Sequence, residues 1–348
     1  MVVVAPSPQI SLPQSGKAND AKHWQRELKD AVRDPRDLCR LLNLPAECEA
    51  AAIRAAGEFP LFAPRPFVDQ IERGNPADPL LRQILPLEVE LASPPSFTAD
   101  PVGDLAARRA PGLLQKYHGR TLLITTGACA VHCRYCFRRH FPYSESQSPQ
   151  SATAWQPAIE TIAADASIRE VILSGGDPLV LVDGLLAELA ERLAAIPHVA
   201  RLRVHTRLPL MIPQRIDASL LGWLRGTRLT PIMVIHANHP AELRGPAAAA
   251  IGRLVDGGVP VLNQSVLLRG VNDDADVLAE LCERLVELRA MPYYLHQLDR
   301  VAGAAHFEVE IARGVQLIEQ LRERLPGYAV PRYVRETAGE PNKTPLCD

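Results

Sequence analysis

Only five of the chain's 38 basic residues are lysines (Lys17, Lys22, Lys29, Lys116 and Lys343), so chemistry that needs a primary amine has few places to occur. Aromatic residues make up 5% of the 348, and 40 acidic residues nearly cancel the basic ones to a net charge of -2. Without a field of either sign the chain is not expected to bind nucleic acid or an anionic membrane. No apolar run approaches the roughly 18 residues that span a bilayer, and the first twenty residues lack the charged-then-apolar order of a secretory leader. The expectation is a cytoplasmic protein with a small-molecule or protein-borne substrate. Seven cysteines are too few for a disulfide scaffold, yet Cys129, Cys133 and Cys136 fall within eight residues, which suggests a metal centre.

Residues from about 20 to 110 carry short helical patterns broken by prolines such as Pro60, Pro94 and Pro95. From about residue 118, short β-branched runs alternate with longer amphipathic patterns, the mark of consecutive βα units. Strands are expected at Leu122 to Thr126, Val171 to Ser174, Leu202 to Thr206, Ile232 to His236, Val259 to Val266 and Tyr293 to Gln297. A helix carrying Leu186, Leu189, Leu193 and Ile196 has Asp183 as its expected N-cap. Six units are too few for a closed eight-stranded barrel. The expected fold is therefore α/β, a partial (β/α)6 TIM-type barrel (113–327) with a helical N-terminal extension (1–112) and a C-terminal segment (328–348). Each expected strand runs into polar residues, and in such folds the strand C-termini form the active site.

The cysteines are spaced C-x3-C-x2-C in Gly127-Ala128-Cys129-Ala130-Val131-His132-Cys133-Arg134-Tyr135-Cys136. Three thiolates on a 4Fe-4S cube leave one iron open for catalysis. The alternative is zinc, with His132 or His140 as a fourth ligand, in an interaction module of a different class. Ser174-Gly175-Gly176-Asp177-Pro178 ends the second expected strand, where it is either an ordinary turn or a ligand-facing backbone.

The cysteine segment resembles the radical S-adenosylmethionine (SAM) superfamily, in which the open iron is chelated by SAM and the reduced cluster releases a 5'-deoxyadenosyl radical. Four segments narrow the likeness: Cys136-Phe137-Arg138-Arg139-His140-Phe141, Ser174 to Pro178, Asn263-Gln264-Ser265-Val266-Leu267-Leu268-Arg269-Gly270-Val271-Asn272-Asp273, and Pro292-Tyr293-Tyr294 with Gln297 and Asp299. Together they resemble the lysine 2,3-aminomutase family, isomerases that pair radical SAM chemistry with pyridoxal 5'-phosphate (PLP). The resemblance implies that Lys343, in Gly339-Glu340-Pro341-Asn342-Lys343-Thr344-Pro345, carries PLP, although a lysine so placed otherwise reads as solvated. It implies PLP-phosphate contacts from Lys116, Tyr117 and Arg120, with Lys116 standing where the family has arginine and open to reading as surface charge. Ser174, Gly175, Gly176 and Asp177 fall at the SAM segment, with His236 and Gln264 as further SAM contacts or as core polar residues. Arg138 matches the ligand for the substrate carboxylate. Asp299, which could otherwise cap a helix, and Glu336, longer than the family's acid, match the ligands for a remote ammonium.

The Gly339–Pro345 segment is similar to that of compact bacterial aminomutases that make β-lysine for elongation factor P. The resemblance then implies conversion of L-α-lysine to (R)-β-lysine, an external electron donor for the cluster, and a downstream ligase as partner. A catabolic lysine enzyme or an aminomutase of another amino acid is the alternative within the family. Longer members continue past the PLP lysine into a zinc-binding tail, and the sequence as given, ending at Asp348, is expected to lack that zinc.

Overall fold

The apolar, β-branched runs form one sheet of ten strands in a computed structural model that describes residues 20–92, 94–143 and 151–347. Residues 1–19 of the expected extension and Asp348 of the expected C-terminal segment lie outside the described residues. The strands are β1 (Arg108–Ala110), β2 (Leu113–Tyr117), β3 (Arg120–Thr126), β4 (Glu170–Gly175), β5 (Arg201–Thr206), β6 (Thr230–Ile235), β7 (Val261–Val266), β8 (Met291–His296), β9 (Arg332–Arg335) and β10 (Thr344–Pro345). Spatial order follows chain order throughout.

Strands β3 to β8 are the six expected from sequence, and every neighbouring pair among them is parallel. The partial barrel expected from sequence is the fold observed. It carries a seventh parallel strand, because the segment after the last helix adds β9 beside β8, pairing Tyr294 with Arg332. Antiparallel β1 and β2 extend one edge, and β10 folds back on β9 at the other. The sheet therefore starts at Arg108, five residues before the expected barrel boundary at 113.

Helices between the strands bury one face each, as in Asp183–Ala194, where Leu186, Leu189 and Leu193 are buried. Asp183 is not the cap of that helix. Val182 precedes it, and the Asp183 carboxylate instead takes Arg215 at 2.7 Å and Trp223 Nε1 at 2.8 Å, a buried guanidinium outcompeting the helix amides. Asp274 does cap the helix Ala275–Glu287, accepting from the amides of Asp276 and Val277. Trp24, Leu38, Phe67 and Leu80 of the N-terminal helices share one core with Leu189, Leu202 and Leu254 of the barrel. Each fully buried side chain of this size contributes about 1.5–3 kcal/mol, so the extension is held as firmly as the barrel helices. Among the described residues no helix is long and apolar enough to cross a membrane.

Candidate active site

One cavity runs along the inside of the barrel, from Cys129, Cys133 and Cys136 at the C-terminal ends of the strands to Arg120 at the start of β3. Seven residues of β3 make that distance roughly 20 Å. Every residue that the resemblance assigns to cluster, cofactor or substrate lines this cavity, whereas His132 and His140 of the zinc alternative do not.

The cluster loop leaves β3 and is fastened to the end of β4. Gly176 N donates to Thr126 O and Asp177 N to Ala128 O, both at 2.8 Å. A Cβ on Gly176 would sit 2.0 Å from Ala128 O, and Gly175 adopts φ +132°, so both glycines are required by this close approach. The amides of Gly176 and Asp177 are thus spent on the cluster loop and are not exposed to a ligand as the sequence reading supposed. The Asp177 carboxylate is likewise taken, by Thr206 Oγ1 and the amides of Arg207 and Leu179, so it ties the end of β4 to β5. The Ser174 hydroxyl faces Arg138 Nη1 at 3.4 Å.

Burial pushes the Cys136 thiol up to about 11 and Cys129 well above the ordinary thiol range, and the neighbouring cysteines add to both shifts. To serve as thiolate ligands, these groups would need a cationic metal beside them to offset that burial. Among the described residues no three His, Cys, Asp or Glu side chains gather tightly enough to hold a single metal ion. A 4Fe-4S cube gives each thiolate its own iron and needs no such convergence. The histidines a zinc site would have recruited face elsewhere: His132 Nδ1 lies 2.8 Å from Pro60 O and His140 Nε2 lies 3.0 Å from Ala302 O.

The side chains of three arginines around the cysteines are buried, two of them, Arg134 and Arg139, from a run that ordinarily reads as a solvated face. Arg134 makes a two-pronged bond to Glu90 at 2.9 and 2.6 Å, and Arg139 reaches the same carboxylate at 2.9 Å. Arg207 donates to Cys133 Sγ at 2.9 Å while held by Glu242, Gln83 Oε1 and His236 O. The N-terminal extension thus supplies Glu90 and Gln83 as braces for the cluster loop. No local pattern marked Glu90, Gln83, Glu242 or Asp104 as functional, since their basic partners lie at least a dozen residues away. Arg207 stood only in a polar group at the end of β5.

Midway along the cavity, burial holds the His236 imidazole down to about 3, with Arg207 and Arg138 adding to the effect. The ring is neutral, and Gln264 Nε2 donates to its Nε2 at 2.9 Å. That leaves the Nδ1 edge as the donor.

The far end is assembled from four separate segments. Arg120 stacks on the Tyr117 ring, 4.5 Å from its centroid, across the β2–β3 hairpin. Lys343 precedes β10 and Glu336 follows β9, so the β9–β10 pairing of Thr344 with Arg335 sets them side by side. Lys343 Nζ bonds Glu336 at 2.5 Å inside the cavity, which removes the solvated-tail reading. Lys116 also lies within: its ammonium donates to Val102 O at 2.8 Å and forms ion pairs with Asp104 at 2.7 Å and Glu336 at 3.4 Å. Arg138 Nε bonds Asp104 at 2.6 Å. Burial alone would raise the Glu336 carboxyl, but Lys343, Lys116 and the Tyr117 hydroxyl hold it low. Asp299 differs. It caps no helix, no cation stands within ion-pair distance of it among the described residues, and burial pushes its carboxyl up to about 7.

A family described as a 4Fe-4S single cluster domain matches residues 118–198, the stretch from β3 through the cysteine loop to the helix after β4. An L-lysine 2,3-aminomutase of Haemophilus influenzae is 46% identical over 96% of this chain and 98% of its own length. One of Escherichia coli K12 is 48% identical over 93% and 94%. This chain belongs to the lysine 2,3-aminomutase family. A more distant member, from Clostridium subterminale, is 34% identical over 94% of this chain and 78% of its own length. As a lysine 2,3-aminomutase family member the chain is a radical SAM isomerase with a 4Fe-4S cluster and SAM as cofactors, and the zinc interaction module is set aside.

Proposed function

We propose that the chain converts L-α-lysine to β-lysine, the (R) enantiomer, with PLP as a further cofactor. The observation that carries this reading is Asp299, a part-buried carboxylate with no ion-pair partner among the described residues, in the same cavity as the Arg138 guanidinium and the Lys343 amine. A substrate that offers a carboxylate at one end and an ammonium at the other satisfies both. Glutamate would meet repulsion at Asp299 and Glu336.

In this reading Cys129, Cys133 and Cys136 hold the cluster, and the cluster, when reduced by an external electron donor, supplies cleavage of SAM to methionine and a 5'-deoxyadenosyl radical. Ser174, the backbone of Gly175 and Gly176, His236 and Gln264 border the SAM space, with Asp177 fixing the turn. Lys343 holds PLP, which supplies an sp2 nitrogen through which an amino group can migrate between adjacent carbons. Tyr117 and Arg120 take the phosphate, with Lys116 contributing charge through its ion pairs. Arg138 fixes the substrate carboxylate and Asp299 with Glu336 its side-chain ammonium, which places one carbon against the radical source. Water is kept out by the buried walls of the barrel.

The likeness of the Gly339–Pro345 segment to compact bacterial aminomutases supports elongation factor P modification as the use of the product, with a separate ligase as partner. Reduced free thiols suit the cytoplasm. The test is an anaerobic assay with reduced cluster, SAM, PLP and a panel of L-amino acids, followed by chiral analysis of the products. Lysine turnover to (R)-β-lysine is expected, together with a PLP absorbance band that disappears in Lys343→Ala. Turnover of glutamate without lysine, or a band untouched by Lys343→Ala, would overturn the reading.

A further inference from the structure

We infer that Asp104 is a positioning residue that ties the carboxylate-binding Arg138 to Lys116 at the phosphate side, so that the two ligand-binding cations are set by one buried anion. This rests on the reading of the cavity proposed above.

Asp104 belongs to the turn before β1, outside the βα units, and is 1% exposed. Its backbone is fixed from behind: Asp100 Oδ1 accepts from the Asp104 amide at 2.8 Å and Asp100 Oδ2 from Leu105 at 3.0 Å. Gly103, at φ +68°, gives the turn the left-handed residue it needs. So placed, the carboxylate divides its oxygens, Oδ2 to Arg138 Nε at 2.6 Å and Oδ1 to Lys116 Nζ at 2.7 Å. Arg138 and Lys116 hold Asp104 ionised, below the ordinary carboxylate range, despite burial that by itself would raise it.

Two consequences follow for ligands. Three cations, Arg138, Lys116 and Lys343, alternate with two anions, Asp104 and Glu336, so one positive charge is left over for a carboxylate or phosphate. The guanidinium is also aimed: its Nε is engaged by Asp104 and one Nη1 hydrogen by Ser174, which leaves the outer edge of the fork for a two-pronged bond. Without Asp104, Arg138 would lose its strongest tether and face Lys116 as an uncompensated like charge. Asp104, Lys116 and Glu336 further link Arg138 to Lys343 in a line of alternating charge.

The experiment uses anaerobically reconstituted holoenzyme of Asp104→Asn, Asp104→Glu and Arg138→Gln, read by iron per chain, PLP absorbance titration, and KM and kcat for lysine. Asp104→Asn is expected to keep wild-type iron, raise KM for lysine roughly tenfold or more with kcat changed less than about threefold, and weaken PLP binding. Asp104→Glu should recover most of both losses. An unchanged KM and PLP titration, a loss confined to kcat, or iron loss that Asp104→Glu does not restore each overturns the inference. Should Asp104→Asn not accumulate folded, Lys116→Met decides: the bridge requires that it raise KM for lysine as well as weaken PLP, and an unchanged KM sinks it. Arg138→Gln separates the two levels. If it leaves KM for lysine unchanged, the substrate reading fails; if it raises KM while Asp104→Asn is normal, only the role of Asp104 fails.

Discussion

The two ends of the cavity are built on opposite electrostatic plans. At the cluster end the guanidinium groups are buried and each has an ion-pair partner: Arg134 and Arg139 share Glu90, and Arg207 has Glu242. At the Lys343 end the charges form a chain with a surplus, and one carboxylate, Asp299, has no ion-pair partner among the described residues. A saturated network suits a group that never leaves, because each pair repays its own desolvation only while its geometry holds. An unsaturated one suits ligands that come and go, since the missing partner arrives with them. The cluster end should therefore fail through loss of structure or cofactor, and the Lys343 end through loss of affinity.

The sharpest break of this contrast comes from the thiols. Cys133→Ala should abolish SAM cleavage, as should Cys129→Ala and Cys136→Ala, because a three-thiolate cube has no spare protein ligand. Retention of cleavage with wild-type iron would undo the assignment. Next in size is Glu90→Ala, which strands two buried guanidinium groups and should cost about 3–5 kcal/mol in denaturant unfolding, with iron lost in parallel. A stable Glu90→Ala protein with a full cluster would show that the saturated network is dispensable.

At the other end Asp299→Asn should raise KM for lysine at pH 8 by roughly tenfold and leave iron content alone. The pH dependence has a defined sign. With its carboxyl pushed up to about 7, Asp299 gains charge as pH rises through 7, while a lysine ammonium stays protonated to about 10. KM for lysine should therefore fall between pH 6 and 8 in the wild type and stay flat in Asp299→Asn. Stability runs the opposite way. The cost of ionising Asp299 in the fold is absent below the unfolded carboxyl range and complete above about pH 7, so Asp299→Asn should stabilise the ligand-free protein at pH 8. A variant less stable at that pH would mean that Asp299 is paired after all. The smallest effect belongs to Cys282→Ala. That thiol sits among Leu278, Leu295 and Leu317, away from the cavity, and its loss should cost about 1 kcal/mol with no change in iron.

Legibility in the sequence divides along the same line as the chemistry. The cysteines, Gly175 and Gly176 were readable because they lie in short contiguous segments whose spacing is itself the constraint. Lys343 was legible only through the resemblance: scarcity leaves two lysines in the catalytic region, but a lysine so placed otherwise reads as solvated. The six strands announced themselves by β-branched runs. The seventh was legible as a short strand-like tail, Tyr328 to Arg335, but its place in the sheet was not, since Arg332–Arg335 is short and half charged and joins only because β8 offers an unpaired edge. Glu90, Asp104, Gln83 and Glu242 were invisible for a related reason: a lone acid or amide in a proline-broken helical stretch carries no sign of the guanidinium it will meet after folding. Arg134 and Arg139 looked like surface for want of those partners. The Asp183 cap failed because a local hydrogen bond lost to a distant charge.

The C-terminal hairpin has a bearing on how such proteins tolerate change. The pairing of Thr344 with Arg335 and of Pro345 with Val334, reinforced by Leu346 N to Tyr333 O, places Lys343 opposite Glu336 without help from the residues between them. The connecting run of residues 337–342 needs its left-handed position at Gly339 but has few other duties. Its composition can vary while the amine stays in place. A one-residue slip of β10 against β9 is a different event, because it would turn Lys343 to the opposite face of the sheet. Selection on this segment should therefore act on strand register far more than on loop composition.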